Sequence, residues 1–268
     1  MFWELLRAHF IHTSLIAGVV VSAIAGLIGP IVVARRMGFA VHGIAELGLT
    51  GAAGGLLIGL DATTGALIGS VAVGAALGLL GLEGRERDST TGVVLAAGLG
   101  LGVLFLSLYQ GYATAGFGLL FGSVTTVSDA QLRVLLLVAG VVAAVLAVIW
   151  RPLWFASVDP DAAVARGVPT RVLAVIFAVL MGAVVAETIQ VTGVLLILTL
   201  VITPAAAAQL MTARPGATIA LSVAIAVTVT TGGILSSIAK PWPPTFFIST
   251  YSFLIYAATR LHRAAKAR

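Results

Sequence analysis

The sequence predicts an all-α polytopic membrane protein, a bundle of eight to nine transmembrane helices. Of the 268 residues, 60% are hydrophobic and only 9% are charged, whereas a soluble domain carries about a quarter charged residues. The apolar runs are continuous over roughly 20 residues, as helical spans require, and do not alternate as barrel strands do. The 31 glycines favour closely packed membrane helices. Residues 1–268 are therefore predicted to form a single membrane domain.

Nine apolar runs are candidate spans. In order they cover about 13–34, 39–60, 63–82, 92–110, 131–150, 172–190, 192–210, 217–238 and 246–260. The first is long enough to cross a bilayer, and the basic pair Arg35 and Arg36 follows it, which favours an anchor over a cleavable signal peptide. The loops on the side of this pair also hold most of the other basic residues, namely Arg85, Arg87, Arg151, Arg166, Arg171, Arg214 and the tail from Arg260 to Arg268. The positive-inside rule then predicts an external N-terminus and a cytoplasmic C-terminus.

Charge and cysteine content exclude several classes of protein. The net charge of +5 comes from short loops and the C-terminal tail, so it is explained by membrane topology and does not predict nucleic-acid binding. Without cysteine there is no disulfide, thiolate zinc site or iron–sulfur cluster. The phosphate-binding pattern Gly-x-x-x-x-Gly-Lys-Ser/Thr is also absent from the sequence. If ATP drives this protein, we expect a partner chain to hydrolyse it.

Two ionisable residues in the second run are the strongest candidates for chemistry. His42 and Glu46 are four residues apart and therefore share one helix face. Ionisable groups at membrane depth are costly and mark partners, water-filled cavities or ion paths. Imidazole and carboxylate are both ligands of divalent transition metals. The alternative is a structural pair in which the imidazole donates a hydrogen bond to the carboxylate. An imidazole that makes this bond and also binds a metal through its other nitrogen would combine both roles.

Glu187, with Gln190 one turn later, is a second candidate ligand in the sixth run. The alternative is an interfacial glutamate near the outer end of that span. Measured along straight helices, His42 is about 9 Å from Arg36 and Glu187 about 24 Å from Arg171, so we expect two levels of one pathway. For His9 and His12 an interfacial role is favoured over metal contact. Asp61 is expected to cap or end a turn.

Two loops have unusual compositions. Residues 111–130 are semi-polar and glycine-rich, which is compatible with a partly re-entrant segment buried in protein. In residues 151–171, Ser157 or Asp159 is placed to cap a short helix, with Pro160 in its first turn and Gly167 at its end. Such a capped cytoplasmic helix suits docking of a soluble partner, and a plain ordered loop is the alternative.

Four stretches together resemble the membrane permeases of bacterial zinc and manganese ABC importers. They are Val33-Ala-Arg-Arg-Met-Gly-Phe39, Leu120-Phe-Gly-Ser-Val-Thr-Thr-Val-Ser128, Phe155-Ala-Ser-Val-Asp-Pro-Asp-Ala-Ala-Val-Ala-Arg-Gly167, and the run from Gln190 to Ala208 that contains Thr203-Pro-Ala-Ala. Each pattern alone is weak, but all four occur in the family's order across nearly the whole chain. The match departs at the candidate ligands, because the family usually has Gly-Asp-x-x-x-His. Here Val41, His42 and Glu46 occupy those positions, so acid and imidazole are exchanged.

The resemblance implies a permease subunit in the bacterial plasma membrane, not an enzyme. Its implied partners are a second copy of the chain, a cytoplasmic ABC ATPase dimer and an extracytoplasmic metal-binding protein. It implies that segment 155–168 is the coupling helix for the ATPase, with Ser157, Asp159, Pro160, Asp161, Ala162 and Gly167 as coupling residues. The expected cargo is Zn²⁺ first and Mn²⁺ second, passing His42, Glu46 and Glu187, with no permanently bound cofactor and with ATP held by the partner.

Three other functions are compatible with parts of the pattern. A gradient-driven secondary metal transporter or channel would work without an ATPase. An intramembrane metalloprotease would be expected to carry a stronger ligand set such as His-Glu-x-x-His, which the sequence lacks. A related permease for an iron chelate or vitamin would need a wide path.

Overall fold

The computed structural model describes residues 9–80, 84–109, 127–240 and 242–266, and every regular element within them is helical. In chain order the helices are α1 (His9–Ala34), α2 (Gly38–Leu57), α3 (Ala62–Leu80), α4 (Gly84–Leu108), α5 (Asp129–Val158), α6 (Pro160–Ala165), α7 (Thr170–Thr192), a 3₁₀ turn (Val194–Leu196), α8 (Ile197–Val201), α9 (Thr203–Met211), α10 (Pro215–Ala239) and α11 (Pro244–Lys266). The predicted all-α class is confirmed. The predicted re-entrant segment 111–130 lies outside the described residues, except for its last four positions.

Seven helices of the described ranges are long and apolar enough to cross a membrane: α1 to α5, α7 and α10. They correspond to the first six predicted spans and to the eighth. The helix that contains the fifth predicted span, 131–150, is longer than that span, because α5 continues to Val158. Its 30 residues are about 45 Å long, whereas the hydrocarbon core measures about 30 Å. Helix α5 is therefore long enough to hold α6 outside the bilayer.

The predicted seventh and ninth spans differ in form from the other seven. The run 192–210 is interrupted, because Gly193 adopts a φ of +80° and ends α7, and Pro204 lies in the first turn of α9. A 3₁₀ turn and the short helices α8 and α9 replace a single span. The ninth run lies within α11, which is 23 residues long with Arg263 and Lys266 in its last turn. Its length spans a bilayer, but its polar residues separate it from the seven apolar helices.

Glycines let α2, α3 and α7 approach until their backbones touch. A Cβ added at Gly51 of α2 would lie 2.6 Å from the carbonyl oxygen of Gly65 and 2.7 Å from the Cα of Gly69, both in α3. A Cβ added at Gly182 of α7 would lie 2.5 Å from the carbonyl oxygen of Ser70. This is the small-residue packing that brings membrane helices together, and it forms the centre of the bundle.

Helix α1 ties the rest of the bundle to this centre. It packs along α10, where a Cβ added at Gly26 would lie 2.8 Å from the Cα of Val223. The side-chain amide of Gln209 in α9 donates to the carbonyl of Pro30 at 3.1 Å. Helix α5 lies against both α1 and α7. The resulting core includes the fully buried side chains of Ile28 and Phe177.

Candidate functional site

His42 and Glu46 lie in the first turns of α2, as predicted. A tight reversal at Arg36, whose φ is +54°, separates α1 from α2. The amide of Met37 donates to the carbonyl of Val32 at 2.9 Å and closes this reversal. Both candidate side chains are half-buried.

The alternative interpretation of His42 and Glu46, a structural pair in which they bond to each other, is not what the structure shows. Within the described ranges neither side chain makes a hydrogen bond or an ion pair, although many of their neighbours do. Both are left with ligand atoms available for a further group. The structure thus removes the main structural explanation for having an imidazole and a carboxylate one turn apart.

The packing of α2 shows which way this pair faces. Successive residues turn by about 100° around a helix, so Glu46 lies roughly opposite Gly48, Gly51 and Gly55, which contact α3 and α7. On a flank of α2, the hydroxyl of Thr50 donates to the carbonyl of Gly98 in α4 at 2.9 Å. The pair therefore projects from the face turned away from the glycine-packed centre.

The described residues of one copy would form an incomplete metal site. No group of three or more His, Cys, Asp or Glu side chains occurs among them. His42 and Glu46 offer one nitrogen ligand and one carboxylate, and transition metals usually take four ligands or more. A metal bound at this pair would need further ligands from water or from groups beyond the described residues.

Glu187 is not part of the same cluster. Ile189 and Gly182 on α7 contact α2 and α3, and Glu187 lies about 140° to 160° around the helix from them. Its side chain lies instead in a small cavity lined by Val127, Gln131, Leu135, Gln190 and Val191. Only 2% of its surface is exposed, and its Oε1 atom has no hydrogen-bond partner within the described part of the chain.

The two candidate positions lie at different heights in the bundle. The hydroxyl of Ser70 donates to the carbonyl of Ile44 at 3.5 Å and also lies against Gly48, while the backbone of Ser70 lies against Gly182. Counting along parallel α2 and α7 from these contacts, His42 and Glu187 differ in height by roughly 10 to 16 Å. The separation of about 15 Å expected from sequence falls within this range.

The segment for which a coupling role is expected, 155–168, contains the predicted short capped helix. The carboxylate of Asp159 accepts from the amide of Ala162 at 3.0 Å, which caps α6, and Pro160 opens its first turn. Gly167 follows α6 with a φ of +75°. Val158 and Val164 are 64% and 60% exposed, whereas Ala163 is fully buried. Helix α6 is thus anchored by one side and presents apolar and acidic groups, Asp161 included, on the other.

Of the two residues predicted as alternative caps of α6, Asp159 is the cap and Ser157 is not. Ser157 belongs to the last turn of α5, where its hydroxyl donates to the carbonyl of Leu153 at 2.6 Å. The same hydroxyl accepts from Nε of Arg35 at 2.8 Å. The guanidinium of Arg35 also lies 5.7 Å from the ring centre of Phe177 in α7. Arg35 therefore joins the ends of α1 and α5 to α7.

The sequence analysis did not identify the structural roles of two residues, Arg35 and Gln131. Arg35 was read only as a loop charge, and only its contacts reveal the junction. Gln131 was not noticed, although the pattern Ser128-x-x-Gln131 signals a capping box, and both of its bonds are formed. Asp61 was predicted correctly as a cap, because its carboxylate accepts from the amide and the hydroxyl of Thr64 at 2.9 and 2.8 Å. His12 is exposed.

Comparison with known proteins gives a consistent result. The ABC 3 transport family profile matches residues 7–261. The manganese transport system membrane protein MntC of Halalkalibacterium halodurans is 29% identical over 88% of this chain and 82% of its own length. Its namesake in Listeria innocua is 26% identical over 95% and 89%. The solved structure of PsaBC from Streptococcus pneumoniae in complex with Fab aligns with a TM-score of 0.85 at 25% identity, covering 96% of this chain and 94% of that one.

Proposed function

The chain belongs to the ABC 3 transport family as a multi-pass permease of the metal-importer type, and we propose that its cargo is Mn²⁺. The observation that carries the proposal of a divalent-metal cargo is the half-buried pair His42 and Glu46, which has no partner within the described chain. An unpaired imidazole and carboxylate on a membrane-spanning helix are expected where an ion passes. In this family ATP hydrolysis resides in a separate subunit.

Manganese replaces the zinc that the residue types favoured. One nitrogen and one oxygen ligand suit both metals, so the pair alone does not decide between them. The relatives from Halalkalibacterium halodurans and Listeria innocua are manganese permeases by name, and this supports Mn²⁺. The exchanged order of acid and imidazole leaves the ligand types unchanged.

The remaining ligands come from a second copy of the chain. Two copies related by a two-fold axis, each presenting His42 and Glu46, would offer two imidazoles and two carboxylates to one ion. The pair faces away from the glycine-packed centre of its own chain, which leaves it open to such a partner. This arrangement places the ion at the interface between permeases, where opening of either side exposes it to one compartment.

Coupling to ATP passes through α6. The exposed Val164 of α6 and Val158 at the end of α5, with Pro160 and Asp161, present a compact surface for a groove in the ATPase subunit, while Ala163 is buried and Asp159 caps the helix. Arg35 then connects the end of α5 to the reversal that starts α2. A movement of α6 therefore has a direct mechanical route to the helix that carries His42 and Glu46.

The mechanism requires little of the two side chains beyond ligation. The neutral imidazole and the ionised carboxylate replace part of the hydration shell of the ion, and binding must be strong enough to admit it and weak enough to release it. The extracytoplasmic binding protein delivers the ion, and the ATPase drives the change of access. With the N-terminus outside, the pair lies nearer to the cytoplasm than to the delivery side. Within this family the gradient-driven transporter has no supporting observation.

The test measures uptake of radioactive Mn²⁺ by cells that contain the chain with its ATPase and binding protein. His42→Ala and Glu46→Gln are each expected to lower uptake by at least about tenfold, the loss that outer-shell partners of metals already produce. Thr50→Val is the matched control on the same helix, since it loses only the bond to Gly98. Wild-type uptake by both ligand variants, in chains that still assemble with the ATPase, would disprove the assignment.

A further inference from the structure

A second buried carboxylate site lies between the beginning of α5 and the end of α7. Only 2% of the surface of Glu187 is exposed, and its Oε1 atom has no hydrogen-bond partner within the described residues. The cavity that it faces is also lined by the side chains of Gln131 and Gln190. Its other lining residues are apolar: Val127, Leu135 and Val191. A single acid thus faces two amides inside an otherwise hydrophobic wall.

An ionised carboxylate in such a place needs a positive partner. Burying an unpaired charge costs several kcal/mol, on the order that proteins avoid by pairing it or binding a metal. Among the described residues that line the cavity there is no basic side chain. The cavity has room for about one water-sized group, which is the scale of a partly dehydrated ion and excludes a larger organic cargo.

The two amides add oxygen ligands to the carboxylate. The carbonyl oxygen of Gln131 accepts one hydrogen bond, from the amide of Ser128 at 2.9 Å, and an amide oxygen has a second lone pair. Gln190 lies three residues after Glu187 on α7, so the two side chains share a helix face. Carboxylate and amide oxygens without nitrogen or sulfur are the ligands of hard divalent cations such as Mn²⁺, Mg²⁺ and Ca²⁺.

We propose that Glu187, Gln131 and Gln190 form a second, all-oxygen station for a hard divalent cation, separate from the station at His42 and Glu46. This inference rests on the proposed function, because it gives the same ion an additional stop. Glu187 lies roughly 10 to 16 Å further along the bundle than His42, towards the end that the loop charges place outside. An ion arriving from the binding protein reaches the oxygen site before the imidazole.

The two stations differ in the ions that they retain. The Glu187 station discriminates poorly between Mn²⁺ and Mg²⁺, since both accept oxygen ligands, whereas the imidazole of His42 favours the transition metal. The ion binds weakly at the Glu187 station first and selectively at the His42 and Glu46 station second. Such a sequence admits the ion and still allows it to leave. Competition by Mg²⁺ therefore distinguishes the two sites in one protein.

The experiment titrates the purified full-length chain in detergent with Mn²⁺ and measures free Mn²⁺ by electron paramagnetic resonance. The double variant His42→Ala, Glu46→Gln isolates the proposed station. We expect it to retain Mn²⁺ binding that excess Mg²⁺ removes, and adding Glu187→Gln should weaken that binding by at least about tenfold. Thr188→Val in the same background is the control, because Thr188 is buried beside Glu187, its hydroxyl donates to the carbonyl of Val184, and its side chain does not line the cavity.

Each outcome separates this station from the proposed function. Retained binding that Glu187→Gln abolishes and Thr188→Val preserves supports the station. If the double variant binds no Mn²⁺ while wild type does, the station is disproved and the His42 and Glu46 assignment survives. Residual binding that survives Glu187→Gln also disproves it, and Glu187 is then a neutral buried acid. If Glu187→Gln does not yield folded protein, Gln190→Leu takes its place, because it removes one oxygen ligand and keeps the carboxylate. We expect Gln190→Leu to weaken the residual Mn²⁺ binding of the double variant. Unchanged Mn²⁺ binding in that variant would disprove the station.

Discussion

The centre of the bundle is held by backbone contact, whereas the end that carries α6 is held by side-chain hydrogen bonds. At the centre, Gly51 and Gly182 bring three helices within van der Waals distance of one another. At the end that carries α6, Arg35 bonds to Ser157, and Asp159 caps α6. Packed backbones have few alternative arrangements, but polar contacts can be exchanged for water or for a partner. The comparison indicates a rigid carrier of His42 and Glu46 connected to α6 by contacts that can change.

The largest expected effect comes from breaking the glycine contact. In Gly51→Leu the new side chain meets the carbonyl of Gly65 and the Cα of Gly69, so α2 and α3 must separate. Overpacking of this kind typically costs about 1–3 kcal/mol, and sometimes more when backbone must move. Thermal unfolding of the detergent-purified chain should show a strong loss of stability or no folded protein. Gly140→Ala is the control, since nothing lies within 4 Å of its added Cβ; equal stability of the two variants would show that the centre is not rigid.

A smaller effect on stability, and a specific one on coupling, is expected at the polar end. Arg35→Ala removes the bond to Ser157 and the contact with Phe177, and a hydrogen bond to a charged group is worth about 1.5–3 kcal/mol. In proteoliposomes with the ATPase and binding protein, the ratio of Mn²⁺ transported to ATP hydrolysed should fall severalfold. Arg151→Ala, an exposed arginine on α5, should keep the ratio. Unchanged coupling in Arg35→Ala would show that motion reaches α2 by another route.

Ser157→Ala tests whether Arg35 acts through this hydroxyl. It removes a neutral partner, so about 1 kcal/mol is expected from the lost bond, with a smaller decrease in coupling than Arg35→Ala. In the double variant the two changes should not add, because they remove one shared interaction. Unfolding free energies and coupling ratios for the four proteins of the cycle measure this. Fully additive effects would mean that Arg35 acts through contacts other than the one with Ser157.

The smallest effect is expected at the exposed cap of α3. The backbone amide of Thr64, followed by its hydroxyl, holds the pKa of Asp61 below its usual value of 3.8. A lowered pKa adds stability that is present above pH 3.8 and is lost as pH falls through the folded-state value. Asp61→Ala should cost about 1 kcal/mol at neutral pH and less once the wild-type carboxyl is protonated, because only the ionised form gains from the lowered pKa. Unfolding followed from neutral pH to below pH 3 checks this, and a difference in stability that does not shrink in acid would contradict it.

The sequence predicted well where one local signal decides the outcome. Continuous apolar runs located seven membrane-length helices within the described residues, and Asp159 with Pro160 predicted the beginning of α6. It failed at the run 192–210, where length and hydropathy resembled a span but Gly193 and Pro204 broke it. It also misplaced Ser157, because the end of α5 depends on how far that helix continues past the bilayer. Both errors concern competition between apolar character and local backbone geometry.

The sequence by itself determined the membrane class, the helical fold and the presence of His42 and Glu46 on one face, since composition and spacing are local properties. Only the tertiary structure decided that this pair has no partner among the described residues, that Glu187 faces α5 in a cavity of its own, and that Arg35 reaches Ser157 across 122 positions of the chain. These facts depend on the rotation and register of packed helices. Rotation and register are both set where glycine backbones of different helices contact one another, and the sequence of a single helix does not specify these contacts.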